Sequence, residues 1–122
     1  MKIKGRVVSG LGDAKGFVPK YSDLIFEAIE ARVYAGTLNL ELVEKVDFSL
    51  FKGIRIAGPE GLGDITVYTA KILLGNGYKV WIVKADKSTH AGNIIEILAD
   101  CSLREKFNLA DGSLVEIGLV NV

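Results

Sequence analysis

Ile65-Thr66-Val67-Tyr68-Thr69-Ala70-Lys71-Ile72-Leu73 and Lys79-Val80-Trp81-Ile82-Val83 flank Gly75-Asn76-Gly77, and the reading of this stretch decides the fold. β-Branched and aromatic side chains suit a half-buried pleated surface, while glycine and asparagine tolerate the positive φ of a tight turn. Residues 65–83 are therefore expected to form a β-hairpin. Similar runs recur at Ile3 to Ser9, Thr37 to Val43, Gly53 to Ala57, Asn93 to Leu98 and Leu114 to Val120, where Val115, Ile117 and Leu119 alternate with other residues. Asp111-Gly112 supplies a turn before the last of them.

Two helices interrupt the strands. Ile25, Ala28, Ile29 and Val33 form one apolar stripe, which predicts a helix over roughly Ser22 to Val33. A second, short helix is expected near Leu103 to Phe107, since Ser102 and Glu105 have the spacing of a capping box. So few helices cannot supply the alternating units of a doubly wound sheet, which leaves a mainly β fold with short helices, built as a small closed β-barrel. Closure also removes exposed strand edges.

The 122 residues suit one domain, residues 1–122, with 49% hydrophobic and 25% charged residues, as in ordinary globular proteins. Fifteen basic residues balance fifteen acidic ones, so no global field favours nucleic acid or an anionic membrane, and neither is expected as a partner. Cys101 and His90 are the only residues of their kinds. That excludes an internal disulfide and a structural zinc site and points to a reducing compartment. The first residues lack an apolar signal region and no apolar run approaches the roughly 18 residues of a membrane span, so a cytoplasmic protein is expected, as a monomer.

Four segments can carry chemistry. Gly10-Leu11-Gly12-Asp13-Ala14-Lys15 takes the chain from a strand into a glycine loop whose backbone N–H groups can approach an anion. It lacks the spacing of a Walker A loop, and no helix is expected directly after it, as a dinucleotide-binding loop would require. Glycines mark plain turns as readily, and the loop alone does not decide between the two. Thr37 and Asn39 lie two apart at the start of a strand and share a face, with Leu38 on the other. Their neutral oxygens suit Mg²⁺ where nucleotide phosphates supply negative charge, although Thr-x-Asn read without context is more often solvent-facing strand polarity. Glu96, between Ile94, Ile95, Ile97 and Leu98, is either a buried carboxylate able to act as a base or the solvent side of an amphipathic strand. Cys101-Ser102-Leu103-Arg104 offers backbone donors and a guanidinium, features that a capping box with a surface charge also explains.

The order and separation of these segments decide more than any one of them. Val7-Val8-Ser9-Gly10-Leu11-Gly12, Tyr34-Ala35-Gly36-Thr37-Leu38-Asn39-Leu40, Lys71-Ile72-Leu73-Leu74-Gly75-Asn76, His90 with Ile94-Ile95-Glu96-Ile97, and Leu103-Arg104-Glu105-Lys106-Phe107-Asn108-Leu109 with Asp111-Gly112 together resemble the archaeal CTP-dependent riboflavin kinases. The resemblance implies a cradle-loop β-barrel and transfer of the γ-phosphoryl of CTP to the ribityl 5′-hydroxyl of riboflavin, giving FMN and CDP. It implies that Gly10, Leu11, Gly12, Asp13, Ala14 and Lys15, with Cys101, Ser102, Leu103 and Arg104, hold the nucleotide. Thr37 and Asn39 would hold Mg²⁺, Ser88 and Glu96 the flavin, and Glu96 would also orient or deprotonate the hydroxyl. Two sites depart from the family pattern: the pair Cys101-Ser102, where a methionine or proline followed by a basic residue is expected, and Ser88, where threonine is expected. The rival from another class is a binding module that keeps the pocket without phosphoryl transfer.

Overall fold

The computed structural model describes residues 1–10, 14–85 and 93–119, with residues 14–17 described by their backbone only. In chain order the elements are β1 (Lys2–Val8), α1 (Ala14–Ile29), β2 (Leu38–Leu42), β3 (Ile54–Ile56), β4 (Ile65–Ile72), β5 (Tyr78–Ala85), β6 (Ile94–Leu98), α2 (Leu103–Lys106) and β7 (Leu114–Leu119). All pairings are antiparallel: β4-β5-β6-β2-β1-β7 run side by side, and β7 returns to β4 through Ala70↔Leu119 and Ile72↔Ile117. These six strands close a barrel. The edge of β4 that takes β7 along residues 70–72 takes β3 along residues 65–67, so β3 lies outside the ring.

The hairpin forms as expected, with Ile65 opposite Ala85 and Ile72 opposite Tyr78. Gly75 and Gly77 hold φ of +59° and +87°, values that side chains with a Cβ rarely adopt. Alternation along the strands then sorts residues to two faces. Leu38, Leu40, Leu42, Ile95, Ile97, Val115, Ile117 and Leu119 fill the barrel, each at most 5% exposed. On the outside, Ile65, Val67, Trp81, Val83 and Leu98 form a second core against Val18, Tyr21 and Ile25 of α1. β5 is buried on both faces, which is why Val80-Trp81-Ile82-Val83 is continuously apolar where a half-exposed strand would alternate.

Three expectations need correction. α1 begins eight residues before Ser22 and runs through Pro19. Proline forfeits one helical hydrogen bond, but Val18 and Tyr21 on either side of it are buried on the sheet, and that burial offsets the loss. The helix also stops at Ile29, before Val33, because Glu30 turns to φ +56° while its N–H still bonds Phe26 O at 2.7 Å. Finally, a helix does follow the glycine loop directly, starting at Ala14. At α2 the Ser102 hydroxyl accepts from Glu105 N at 3.4 Å, the N-cap half of the expected capping box. No helix among the described residues is long and apolar enough to cross a membrane.

Candidate active site

The barrel brings Thr37 and Asn39, Glu96, and Cys101 to Arg104 to one region of its outer surface, with Gly10 of the glycine loop beside them. β2 lies between β6 and β1, with Asn39 opposite Glu96 on one side and Val8 on the other. Because Leu38 and Leu40 point into the barrel, Asn39 and Glu96 share the outer face, as cross-strand neighbours whose side chains stand within reach of each other. Thr37, on the same face as Asn39, donates its hydroxyl to Glu96 Oε1 at 3.3 Å. Thr37 and Asn39 thus share a face as expected, and Glu96 lies on it as well. Glu96 is neither sealed among its isoleucines nor turned to open solvent: Ile95 and Ile97 go inward, while the carboxylate is half-buried on the outer face.

Asn39 is the one buried polar residue among the described residues, 8% exposed, and its Oδ1 has no hydrogen-bond partner among them. A buried carbonyl oxygen left unsatisfied costs about 1–3 kcal/mol, so ordinary strand polarity does not account for it. Gly10 covers the amide so closely that a Cβ there would stand 2.2 Å from Asn39 Nδ2. This is the physical reason for glycine at the loop's mouth. No group of three His, Cys, Asp or Glu side chains that could hold a metal ion occurs among the described residues. The donors on hand, an orphaned amide oxygen and a hydroxyl beside one carboxylate, fit a hard cation that draws its remaining ligands from phosphates and water.

A groove of about 310 Å³ opens next to this cluster, lined on one side by Tyr34, Gly36 and Thr37 and on the other by Cys101, Ser102 and Arg104. Arg104 reaches from the groove to the end of β1: its Nη2 donates to Asp111 Oδ1 at 2.7 Å and to Val8 O at 3.4 Å. The second oxygen of Asp111 accepts from Ser9 Oγ at 2.6 Å. These bonds, Ser9 first and Arg104 second, hold the Asp111 carboxyl below its ordinary pKa. Cys101 Sγ lies 3.7 Å from the Tyr78 hydroxyl, which itself donates to Asp100; that bond, then Cys101, pushes the Tyr78 phenol up.

Gly10, Thr37, Asn39, Glu96 and the run Cys101 to Arg104 are therefore neighbours. Leu11, Gly12, Asp13, Ser88 and His90 lie outside the described residues, as do the side chains of Ala14 and Lys15. Ser9, Tyr34 and Asp111 lie in the segments that carry the resemblance, yet none of them is among the expected site residues. The Asp-Gly turn hid a carboxylate whose partners stand 102 and 7 residues away.

Comparison with known proteins places the chain among relatives. The family labelled CTP-dep_RFKase, described as a domain of unknown function (DUF120), matches residues 7–119. A riboflavin kinase of Staphylothermus marinus is 34% identical over 122 residues, covering 96% of this chain and 90% of that protein. The riboflavin kinase of Sulfolobus acidocaldarius is 32% identical, over 96% of this chain and 80% of its own. A third, from Methanocella arvoryzae, is 31% identical over 96% of this chain, which spans only 56% of that longer protein.

Proposed function

The chain belongs to the riboflavin kinase family, and from that premise we propose that it transfers the γ-phosphoryl group of CTP to the ribityl 5′-hydroxyl of riboflavin, giving FMN and CDP. The observation that carries the proposal is the buried Asn39 Oδ1, without a hydrogen-bond partner among the described residues, beside the Thr37–Glu96 hydrogen bond and under the mouth of the glycine loop. CTP as donor is supported by the family's label.

Phosphoryl transfer asks a protein mainly to align nucleophile and leaving group and to offset phosphate charge. Thr37 and Asn39 would hold Mg²⁺, which when bound supplies positive charge to the phosphate oxygens. Glu96, on the same face, accepts a hydrogen bond from the ribityl 5′-hydroxyl and takes its proton as the oxygen bonds to the γ-phosphorus and the bond to the β,γ-bridging oxygen breaks. Arg104 and the loop N–H groups bind the nucleotide's anionic part, and α1, which starts at Ala14, adds the N–H groups of its first turn. Ser88 contributes a flavin contact from the segment preceding β6. The reading is compatible with zero net charge, since a local site does the binding.

The test is to incubate the protein with riboflavin and Mg²⁺ and, separately, CTP, ATP, GTP or UTP. FMN formed chiefly with CTP is expected. FMN formed equally well from ATP would overturn the donor assignment, and flavin binding without turnover under every donor would make the chain a binding module.

A further inference from the structure

Resting on the nucleotide-binding reading of Arg104, we infer that Asp111 is a positioning residue that pre-orients the Arg104 guanidinium at the boundary between the groove and the glycine loop. One carboxylate ties two segments expected to hold the same ligand: Oδ1 to Arg104 of α2 at 2.7 Å and Oδ2 to Ser9, beside Gly10, at 2.6 Å. The carboxylate is itself fixed. Gly112 N–H donates to Val7 O at 2.8 Å, Ser113 N–H to Ala110 O at 2.9 Å, and Ala110 N–H to Ser113 Oγ at 3.1 Å, so the turn that carries Asp111 is anchored to β1.

Both Arg104 bonds among the described residues use Nη2, so neither engages Nε or Nη1 of a side chain that lines the groove. An arginine side chain 39% exposed would otherwise sample many rotamers, and ordering it on binding would weaken affinity. Against this, the carboxylate repels an incoming phosphate. Asp111 is 58% exposed, so water and salt screen that repulsion, whereas the hydrogen bond acts directly on the guanidinium. Orientation should therefore outweigh repulsion.

The experiment compares Asp111→Asn with wild type by steady-state kinetics in each substrate and by thermal melting. The expected result is a rise of roughly fivefold to tenfold in the nucleotide KM, with riboflavin KM changed by less than about twofold and Tm nearly constant. Asp111→Glu, which keeps the charge, should recover part of the loss. In an Arg104→Ala background, adding Asp111→Asn should raise the nucleotide KM no further, a result that a carboxylate acting only to brace the loop would not produce. An unchanged or lowered nucleotide KM in Asp111→Asn overturns the inference, as does an equal rise in the Arg104→Ala background. Wild-type protein that turns over no donor at all sinks the kinase reading and this inference with it; normal wild-type turnover with an indifferent Asp111→Asn sinks the inference alone.

Discussion

Gly10 and Asn39 are packed so tightly that a Cβ on the glycine would stand 2.2 Å from Asn39 Nδ2 and 3.0 Å from its Cγ. The loop mouth and the strand expected to hold the metal are thus one mechanical unit. Gly10→Ala should displace the amide while leaving the barrel intact, because Gly10 itself is exposed. We expect kcat/KM to fall roughly tenfold, a barrier increase of about 1.4 kcal/mol, with Tm within about 4 °C of wild type. Kinetics and a melting curve on the same preparation check this; unaltered kinetics would show that the amide's position is immaterial.

Asn39→Leu separates stability from activity. Replacing a buried oxygen that lacks a partner among the described residues by an apolar group of similar size should leave stability unchanged or raise it by about 1–3 kcal/mol. Phosphoryl transfer should drop by roughly a hundredfold or more. Urea denaturation and FMN formation are the two readouts, and a marked loss of stability would show that Oδ1 is satisfied in the free protein. The same oxygen predicts that Mg²⁺ binds the nucleotide-free protein weakly and tightens when nucleotide is added, which calorimetric titration of each form would reveal.

Glu96→Gln keeps the size and the acceptor oxygen for Thr37 but removes the charge. A fall in kcat of roughly a hundredfold, with riboflavin KM little changed, is expected of a group that accepts the proton of the attacking hydroxyl. Full turnover with intact flavin binding would remove Glu96 from that role.

Asp64 governs part of the acid response. Its Oδ1 accepts the Gly58 N–H at 3.0 Å and its Oδ2 an Arg55 N–H at 3.2 Å, and these bonds, Gly58 first, hold the carboxyl below its ordinary 3.8. A lowered folded-state pKa means that the native state favours the carboxylate, so its contribution is present above pH 3.8 and lost as pH falls through the folded value. Asp64→Asn should be less stable than wild type at neutral pH, and the gap should narrow below about pH 4. Denaturation midpoints at neutral and acid pH test the sign; a gap that widens in acid would contradict it.

Much of this was legible before any coordinates. The alternation Val115, Ile117, Leu119 and the glycine pair at 75 and 77 each state a local backbone geometry, and all seven expected strands appear with ends within two residues. The apolar stripe Ile25, Ala28, Ile29 and Val33 predicts a helix over Ser22 to Val33, whereas burial of Val18 and Tyr21 on the sheet and the turn at Glu30 decide the limits of α1. In the site, spacing correctly put Thr37 and Asn39 on one face.

By itself the sequence determined the strands, the hairpin, the shared face of Thr37 and Asn39 and the family, because side-chain periodicity and turn chemistry are local and motif order can be read along a line. Tertiary structure alone decided that β7 closes on β4, that Glu96 meets Thr37 across 59 residues, that Asn39 is buried under Gly10 with an oxygen that has no partner among the described residues, and that Asp111 joins Ser9 to Arg104. Those relations depend on the register between distant strands, where a slip of one residue would turn every side chain to the opposite face. Spacing along the chain specifies a residue's face but not its neighbour.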